Sequence, residues 1–338
     1  MLKESQFNYF CTYLLAHEAE SRGIKVSKPF TKGIFAKRSL IILKYKKHAE
    51  VIVGQRTSHI SVNAYWIQKD KYVTKYFLHQ AGIKTAPGEA FKISDRPSIF
   101  RFIKHIGFPV VIKQLGGTHG DLVFVGISSK AAVEKTLKSI AAKRKDLVLV
   151  EKEFQGQEYR LMATKDKFLA ATHRIPANVI GDGVSNIKKL IKEKNSDPRR
   201  GEGHRKSLIK IEVDAAVKDY LQGQKLSSQS IPAKGRQVFL RPNSNLSTGG
   251  DSIDVTDEIH PAVKKIAVKA IRAIPGLAYG GIDYMTKDVT QKPNTRNYII
   301  IEINDSPMIS MHHIPYQGKS RDVAKEIIDL LFPETKKR

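Results

Sequence analysis

Two apolar runs near the C-terminal end of the chain, AYGGIDYM (278–285) and NYIIIEIN (297–304), read as strands that each carry polar side chains towards one end. Alternate side chains of a strand share a face, so Glu302 and Asn304 point the same way. If the two strands are neighbours, Asp283 joins them, and three hard oxygen donors line one wall. Such a wall suits Mg²⁺ bound together with substrate phosphates, because magnesium keeps several waters and takes few protein ligands. Polar residues at strand ends are also commonplace, and it is the apolar flanks that favour the metal reading. The expected core of this part of the chain is an antiparallel sheet backed by helices.

The remaining periodicity fills in a mixed α+β chain. Phe7, Phe10, Leu14 and Leu15 recur at helical spacing, and short β-like runs follow at 39–45 and 49–54. DKYVTKYFLHQAGI (70–83) and SDRPSIFRFIKHIG (94–107) read as helices, and PVVIKQ (109–114) and LVFVGI (122–127) as strands. SKAAVEKTLKSIAAKRK (129–145) is an amphipathic helix, and DLVLVEKEF (146–154) a strand that runs into a linker. EYRLMATKDKFLAATHRIP (158–176) reads as two strands joined by a Lys-Asp turn, with short helices near 185–195 and 214–222. A long helix is expected over 256–274, with Thr256 as its cap and Asp257 and Glu258 in its first turn, and a last helix over 321–331. The expected division is an N-terminal α/β lobe at 1–69, a central lobe at 70–155 and a C-terminal lobe at 156–338.

Two further segments suit a nucleotide. Lys113 ends a buried strand just before GGTHG (116–120), where a lysine and loop N–H groups can meet one phosphate. A strand-ending lysine is often only solvated. The chain has no Walker A pattern and no complete GxGxxG, so neither the P-loop nor the Rossmann mode is indicated. In LVLVEKEFQGQEYR (147–160), linker backbone can bond an adenine edge, Phe154 can cover its face, and the later Glu158 can hold ribose hydroxyls. A solvated charged turn is the plainer reading of that stretch by itself.

Composition narrows the setting. With 338 residues and 41% hydrophobic content, the chain is long enough for two or three lobes. Its N-terminus has no signal-peptide pattern, and no apolar run approaches the roughly 20 residues that span a bilayer. A single cysteine, Cys11, excludes an internal disulfide and fits a reducing cytosol. Lys and Arg outnumber Asp and Glu by 58 to 33, a formal charge of +25, which favours anionic partners. The basic residues are spread along the chain without an RNP-like pattern or zinc-finger spacing, so charge alone does not make this a nucleic-acid protein. The adjacent His312 and His313 would point apart on a strand and lack a third ligand at zinc spacing.

In this order the pieces resemble the ATP-grasp superfamily over about residues 60–322, with a likeness to cyanophycin synthetases and to the ligase half of bifunctional glutathione synthetases. The strings that carry the resemblance are DKYVTKYFLHQAGI, VVIKQ, VEKEFQGQEYR, RIPANVIGDGVSNIKKLI, NSDPRRGEGH, LRPNSNLSTGGDSIDVTDEIHP, GIDYM, IEIN and PYQGKSR. The resemblance implies three lobes, with ATP between the central and C-terminal ones. It makes Lys75 and Lys113 the phosphate-contacting lysines and places adenine against Glu151, Lys152 and Phe154, with ribose on Glu158. Asp283, Glu302 and Asn304 become ligands of two Mg²⁺ ions, with Mn²⁺ as a substitute, and Glu302 bridging them. Arg241 would neutralise the acyl phosphate and tetrahedral intermediate, with Arg174 assisting near the phosphates. The segment 195–205 would be a flap, and the stretch around His312 would line the substrate pocket. The loop GGTHGD (116–121) departs from the DGNHGRG-like string of cyanophycin synthetases, and the Mur-ligase-like and glutamate–cysteine ligase halves of the relatives have no counterpart here.

The function this implies is an ATP-dependent carboxylate–amine ligase, working through an acyl phosphate on an amino acid or small peptide and releasing ADP and phosphate. The expected partners are small molecules, with an acidic substrate suggested by the charge; no membrane and no nucleic acid are expected, and homo-oligomerisation stays open. The rival readings are a catalytically silent nucleotide-binding scaffold on the same fold and a nucleic-acid binder with steep salt dependence.

Overall fold

The computed structural model describes residues 2–30, 39–115, 122–143 and 145–336. The phosphate loop expected at 116–121 lies outside the described residues.

At the N-terminus, α1 (Phe10–Ser21) packs on a three-stranded antiparallel sheet of β1 (Lys25–Ser27), β2 (Leu40–Tyr45) and β3 (His48–Val53). Two helices follow, α2 (Val62–Lys69) and α3 (Lys71–Gln80), and Asp70 caps α3 by accepting from the N–H groups of Tyr72 and Val73. The central lobe holds β4 (Gly88–Lys92), α4 (Arg96–Ile106), β5 (Val110–Gln114), β6 (Val123–Ile127), α5 (Lys130–Ala141) and β7 (Leu147–Lys152). Its four strands run in the order β4-β7-β5-β6, and Ile99, Ile103, Val133, Leu137 and Ile140 of the two helices pack on the sheet. Those helical positions are three and four apart, the period that puts one apolar stripe on one face.

The C-terminal lobe is built on β8 (Gln157–Thr164) and β9 (Phe168–Ile175). Between β9 and the next strand of its sheet, the chain makes a separate small unit of β10 (Asn178–Ile180), α6 (Ile187–Lys194), β11 (Arg200–Gly201), β12 (Leu208–Ile209), α7 (Ala215–Gly223) and β13 (Gln237–Phe239). This insertion has a core of its own, formed by Val179, Ile187, Ile191, Val217, Leu221 and Val238. The main sheet resumes with β14 (Asp251–Asp254), then α8 (Pro261–Ala273), β15 (Tyr279–Thr286), β16 (Tyr298–Asn304), α9 (Ser310–His313) and α10 (Val323–Leu331). Its five strands are antiparallel throughout, in the order β14-β9-β8-β15-β16.

Strand alternation divides this sheet into two faces. Leu161, Ala171, Ile282, Tyr284 and Ile303 point back onto α8, where Val263, Ala267 and Ile271 are fully buried. Each such aliphatic side chain contributes roughly 1.5–3 kcal/mol by leaving water. Ala64 of α2 and Leu78 of α3 join this core, so the helix over 70–83 packs with the C-terminal sheet rather than with the central lobe's own core. On the front face, Met162, Ala170 and Tyr279 are covered by α1, β2 and α10. The rest of the front face carries the polar side chains described below.

One helix begins later than expected. α8 starts at Pro261, and His260 rather than Thr256 is its cap, its Nδ1 accepting the Ala262 N–H at 3.0 Å. A helix begun at Thr256 would have carried Pro261 in its interior, whereas proline fits the first helical position, whose N–H needs no partner. Thr256 instead donates its hydroxyl to Asp254.

Candidate functional site

Cross-strand register lays one polar row across the front of the five-stranded sheet. Asp254 stands opposite Thr172, Thr172 opposite Arg160, Arg160 opposite Asp283, and Asp283 opposite Glu302. Directly opposed residues share a face, and the adjoining row adds Ser252, Arg174 and Glu158. Asn304 lies opposite Gly281, two residues from Glu302 on the same side, and its amide donates to Glu302 at 3.4 Å. The structure thus brings Asp283, Glu302 and Asn304 together with Arg174 and Glu158.

Every buried carboxylate here is engaged by cations. Arg160 Nε donates to Asp283 Oδ1, and Arg174 Nη2 to Asp283 Oδ2 at 3.0 Å. The same Arg174 nitrogen also pairs with Glu158, which accepts the Ser244 hydroxyl as well. Burial alone would raise the Asp283 carboxyl, yet Arg160 and Arg174 hold it below the ordinary aspartate range. Arg160 passes close over Gly281, where an added Cβ would lie 2.9 Å from Arg160 Cδ and from Pro307 Cβ. Glycine here makes room for the guanidinium.

A second cluster forms on the central sheet. Lys113 and Glu151 are diagonal neighbours on β5 and β7, with Lys113 Nζ 2.6 Å from Glu151 Oε2. Lys75 reaches in from α3 to the other oxygen of Glu151 and to the Ala86 carbonyl. Gly88 faces Glu151 across the ladder, and a Cβ there would come within 2.6 Å of Glu151 Cγ. Desolvation pushes the Lys75 amine down, while the charges of Lys113 and Lys75 keep the Glu151 carboxyl below its usual range against its own burial. Lys71, one turn before Lys75 on the same face of α3, is pushed down by burial and lies within the fields of Glu302, Lys113 and Glu151.

Other expected contacts are spread more widely. Lys152 Nζ donates to the carbonyls of Gly107 and Phe108, at 3.2 and 2.7 Å. With Phe154, Pro87 and Tyr298, Lys152 lines a cavity of about 100 Å³ at the linker, whereas the Glu151 side chain turns to the lysines. Arg241 pairs with Asp214 at 2.6 Å, in the insertion, and three residues further on Ser244 reaches Glu158. His312 is buried with Nδ1 at 2.8 Å from Thr172 Oγ1, and burial first, then Arg160 and His313, pushes it down to about 3. His313 faces away, its Nε2 accepting the Ala324 N–H at 2.8 Å.

Within the segment 195–205, Arg199 and Arg200 are pinned. Arg200 is fully buried against Asp251 and donates to the Ile209 carbonyl at 2.6 Å. Arg199 pairs with Asp197 and donates to the carbonyls of Pro315 and Tyr316, and both guanidinium groups lie over the Tyr316 ring.

Comparison with known proteins fits this geometry. The family model of the RimK-like ATP-grasp domain matches residues 68–196. The chain carries a RimK-like ATP-grasp domain. The match takes in Lys71, Lys75, Lys113, Glu151, Lys152, Phe154, Glu158, Arg160 and Arg174, while Arg241, Asp283, Glu302 and Asn304 lie beyond it. Over 278 residues, 82% of its length, the chain is 37% identical to the bifunctional glutathione biosynthesis protein of Clostridium perfringens. Over 324 residues, 95% of its length, it is 36% identical to the cyanophycin synthetase of Crocosphaera subtropica. It spans 36% of the length of each of these relatives. The crystal structure of a bifunctional glutathione synthetase from Pasteurella multocida superposes on 97% of the chain and 44% of that structure, with a TM-score of 0.72 at 36% identity. The expected α+β ATP-grasp fold and both expected groups of relatives are therefore found.

The donor set fits a divalent cation bound with phosphates. Among the described residues no cluster of three or more His, Cys, Asp or Glu side chains could hold a metal by itself. Two carboxylates and an amide on one face leave coordination positions for phosphate oxygens and water, as magnesium prefers.

Sequence reasoning passed over Arg160 and Lys71. The i, i+4 spacing of Lys71 and Lys75 and the i, i+2 spacing of Glu158 and Arg160 are the signals the sequence holds for them.

Proposed function

We propose that the chain is an ATP-dependent carboxylate–amine ligase that activates an acid as its acyl phosphate and passes it to an amine. The observation that carries this reading is a pair of buried cation clusters, Lys75 and Lys113 on Glu151 and Arg160 and Arg174 on the Asp283 of the oxygen wall, with Lys71 within the fields of Glu302, Lys113 and Glu151. Buried cations beside a hard-oxygen wall are what a polyphosphate with its magnesium requires. A silent scaffold would have no use for so many buried charges, each costly to desolvate.

In this scheme Lys75 and Lys113 hold the phosphates, Lys152 and Phe154 flank adenine, and Glu158 takes the ribose hydroxyls. Asp283, Glu302 and Asn304 would hold two Mg²⁺ ions, which supply charge neutralisation and orient the phosphoryl group in line. Arg160 and Arg174 neutralise charge that develops on the transferring group, and Arg241 serves the acyl phosphate once it leaves Asp214. Positioning and fixed charge carry the rate enhancement. An amino acid or short peptide is the substrate, in a cytosolic setting that keeps Cys11 reduced. Among the described residues no helix is long and apolar enough to cross a membrane.

A finer reading concerns the acid. An open cleft of about 650 Å³ on the insertion is lined by Lys188, Lys189, Lys192 and Lys210. With Arg199 and Arg200 pinned, these lysines are the better place for a substrate with several carboxylates, and its encounter would be salt-sensitive.

A phosphate-release screen of amino acids and short peptides with Mg-ATP, paired with product masses, tests the ligase reading. ATP-dependent formation of an amide, one phosphate per bond, is the expected result. No release with any acid and amine pair would overturn it.

A further inference from the structure

Asp283 is the innermost of the three oxygen donors, and an arginine is bonded to each of its carboxylate oxygens. Arg160 holds one oxygen and Arg174 the other, and Asp283 is 4% exposed, so water has little access. Arg174 spreads one nitrogen, Nη2, over both Glu158 and Asp283, while its Nε is buried without a partner. These two guanidinium groups and two carboxylates sum to zero charge, and Glu302, opposite Asp283, adds one further negative charge. A divalent cation entering this desolvated cluster would meet two fixed positive charges at close range, each already bonded to one of the oxygens it needs. An anion would meet the opposite situation, since Arg174 already has an unused donor.

We propose that Arg160 and Arg174 occupy the cation's place on Asp283, so that the metal binds there only after an anionic group has drawn the arginines off. The inference rests on the ligase reading of the site and adds an order to it: phosphate first at the arginines, then metal at Asp283. Lys75 and Lys113 repeat the arrangement on Glu151, whose carboxylate stands where a nucleotide's phosphates would compete for the lysines. By linkage, whatever takes Arg174 must tighten the metal, and the metal must tighten that anion by the same factor.

The test is Mn²⁺ binding to the nucleotide-free protein, read by electron paramagnetic resonance. The wild type is expected to bind Mn²⁺ weakly, and Arg174→Ala at least tenfold more tightly, with the gain abolished in Arg174→Ala/Asp283→Asn. Sulfate, a phosphate mimic that chelates Mn²⁺ poorly, should tighten wild-type Mn²⁺ binding tenfold or more over chloride at equal ionic strength, which needs no variant to fold. If Arg174→Ala gains nothing, or sulfate leaves the wild-type affinity unchanged, the proposal is overturned. Failure of the ligase reading looks different. In that case phosphate release is absent and Glu302→Gln leaves Mn²⁺ binding as it was, whereas a wrong coupling alone leaves phosphate release intact.

Discussion

Lys75 and Glu151 form a buried ion pair across 76 residues of sequence, the lysine on a helix that packs with the C-terminal sheet and the glutamate on a strand of the central sheet. The pair ties the two sheets together at the site proposed for the nucleotide's phosphates. Its consequences are measurable.

Glu151→Gln leaves Lys75 and Lys113 buried without their counter-charge and should destabilise the protein by about 3–5 kcal/mol. Urea unfolding measures the loss, and added ATP should recover more of it than in the wild type, because phosphates replace the missing carboxylate.

The same carboxylate gives a pH signature. Glu151 is held below its ordinary 4.5 in the folded protein, and Asp283 below its ordinary 3.8. Between the folded and unfolded values the unfolded chain binds more protons, so stability rises with pH there. The contribution is fully present above about 4.5 and is lost as pH falls through the folded values. Glu151→Gln should show a shallower acid slope than the wild type, and equal slopes would remove Glu151 from this role.

Glu302→Gln should abolish turnover with little change in unfolding temperature, because Glu302 sits at the edge of the row and pairs with no arginine among the described residues. Asp283→Asn should also abolish turnover, but it leaves Arg160 and Arg174 short of a partner and should cost about 3–5 kcal/mol in stability. Turnover near wild type in Glu302→Gln would disprove the metal assignment.

Lys113→Ala should weaken ATP binding by about 1.5–3 kcal/mol, the range for a charge-assisted bond. Calorimetry showing unchanged affinity would take Lys113 out of the phosphate site.

If the acid is an acidic oligopeptide, its Michaelis constant should rise with ionic strength while that for ATP moves less. Replacing Lys188, Lys189 and Lys192 by Gln should flatten that dependence. Arg200→Ala should instead destabilise the insertion, since Arg200 is buried on Asp251. A neutral amino acid used best, with salt-independent kinetics, would reduce the lysine-lined cleft to solvated surface.

The sequence by itself determined most of the longer strands, most helices and the shared face of Glu302 and Asn304, while the short edge strand β14 and the strands of the insertion had no clear signal. Period-two alternation in GIDYM and IEIN is a property of backbone geometry, so Glu302 and Asn304 share a face whatever surrounds them. Pro261 likewise marks the true start of its helix in the sequence, since proline fits the first helical position. Tertiary structure decided which charges meet. Arg160 is 123 residues from Asp283 and Arg174 is 109 residues away, and only the strand order β9-β8-β15 sets them on adjoining rows of one face. Arg241 finds Asp214, and Arg199 and Arg200 are pinned by Asp197 and Asp251, because the insertion folds around its own small core. Local periodicity is written into the covalent chain, whereas a buried charge takes whichever counter-charge the packing of distant strands delivers.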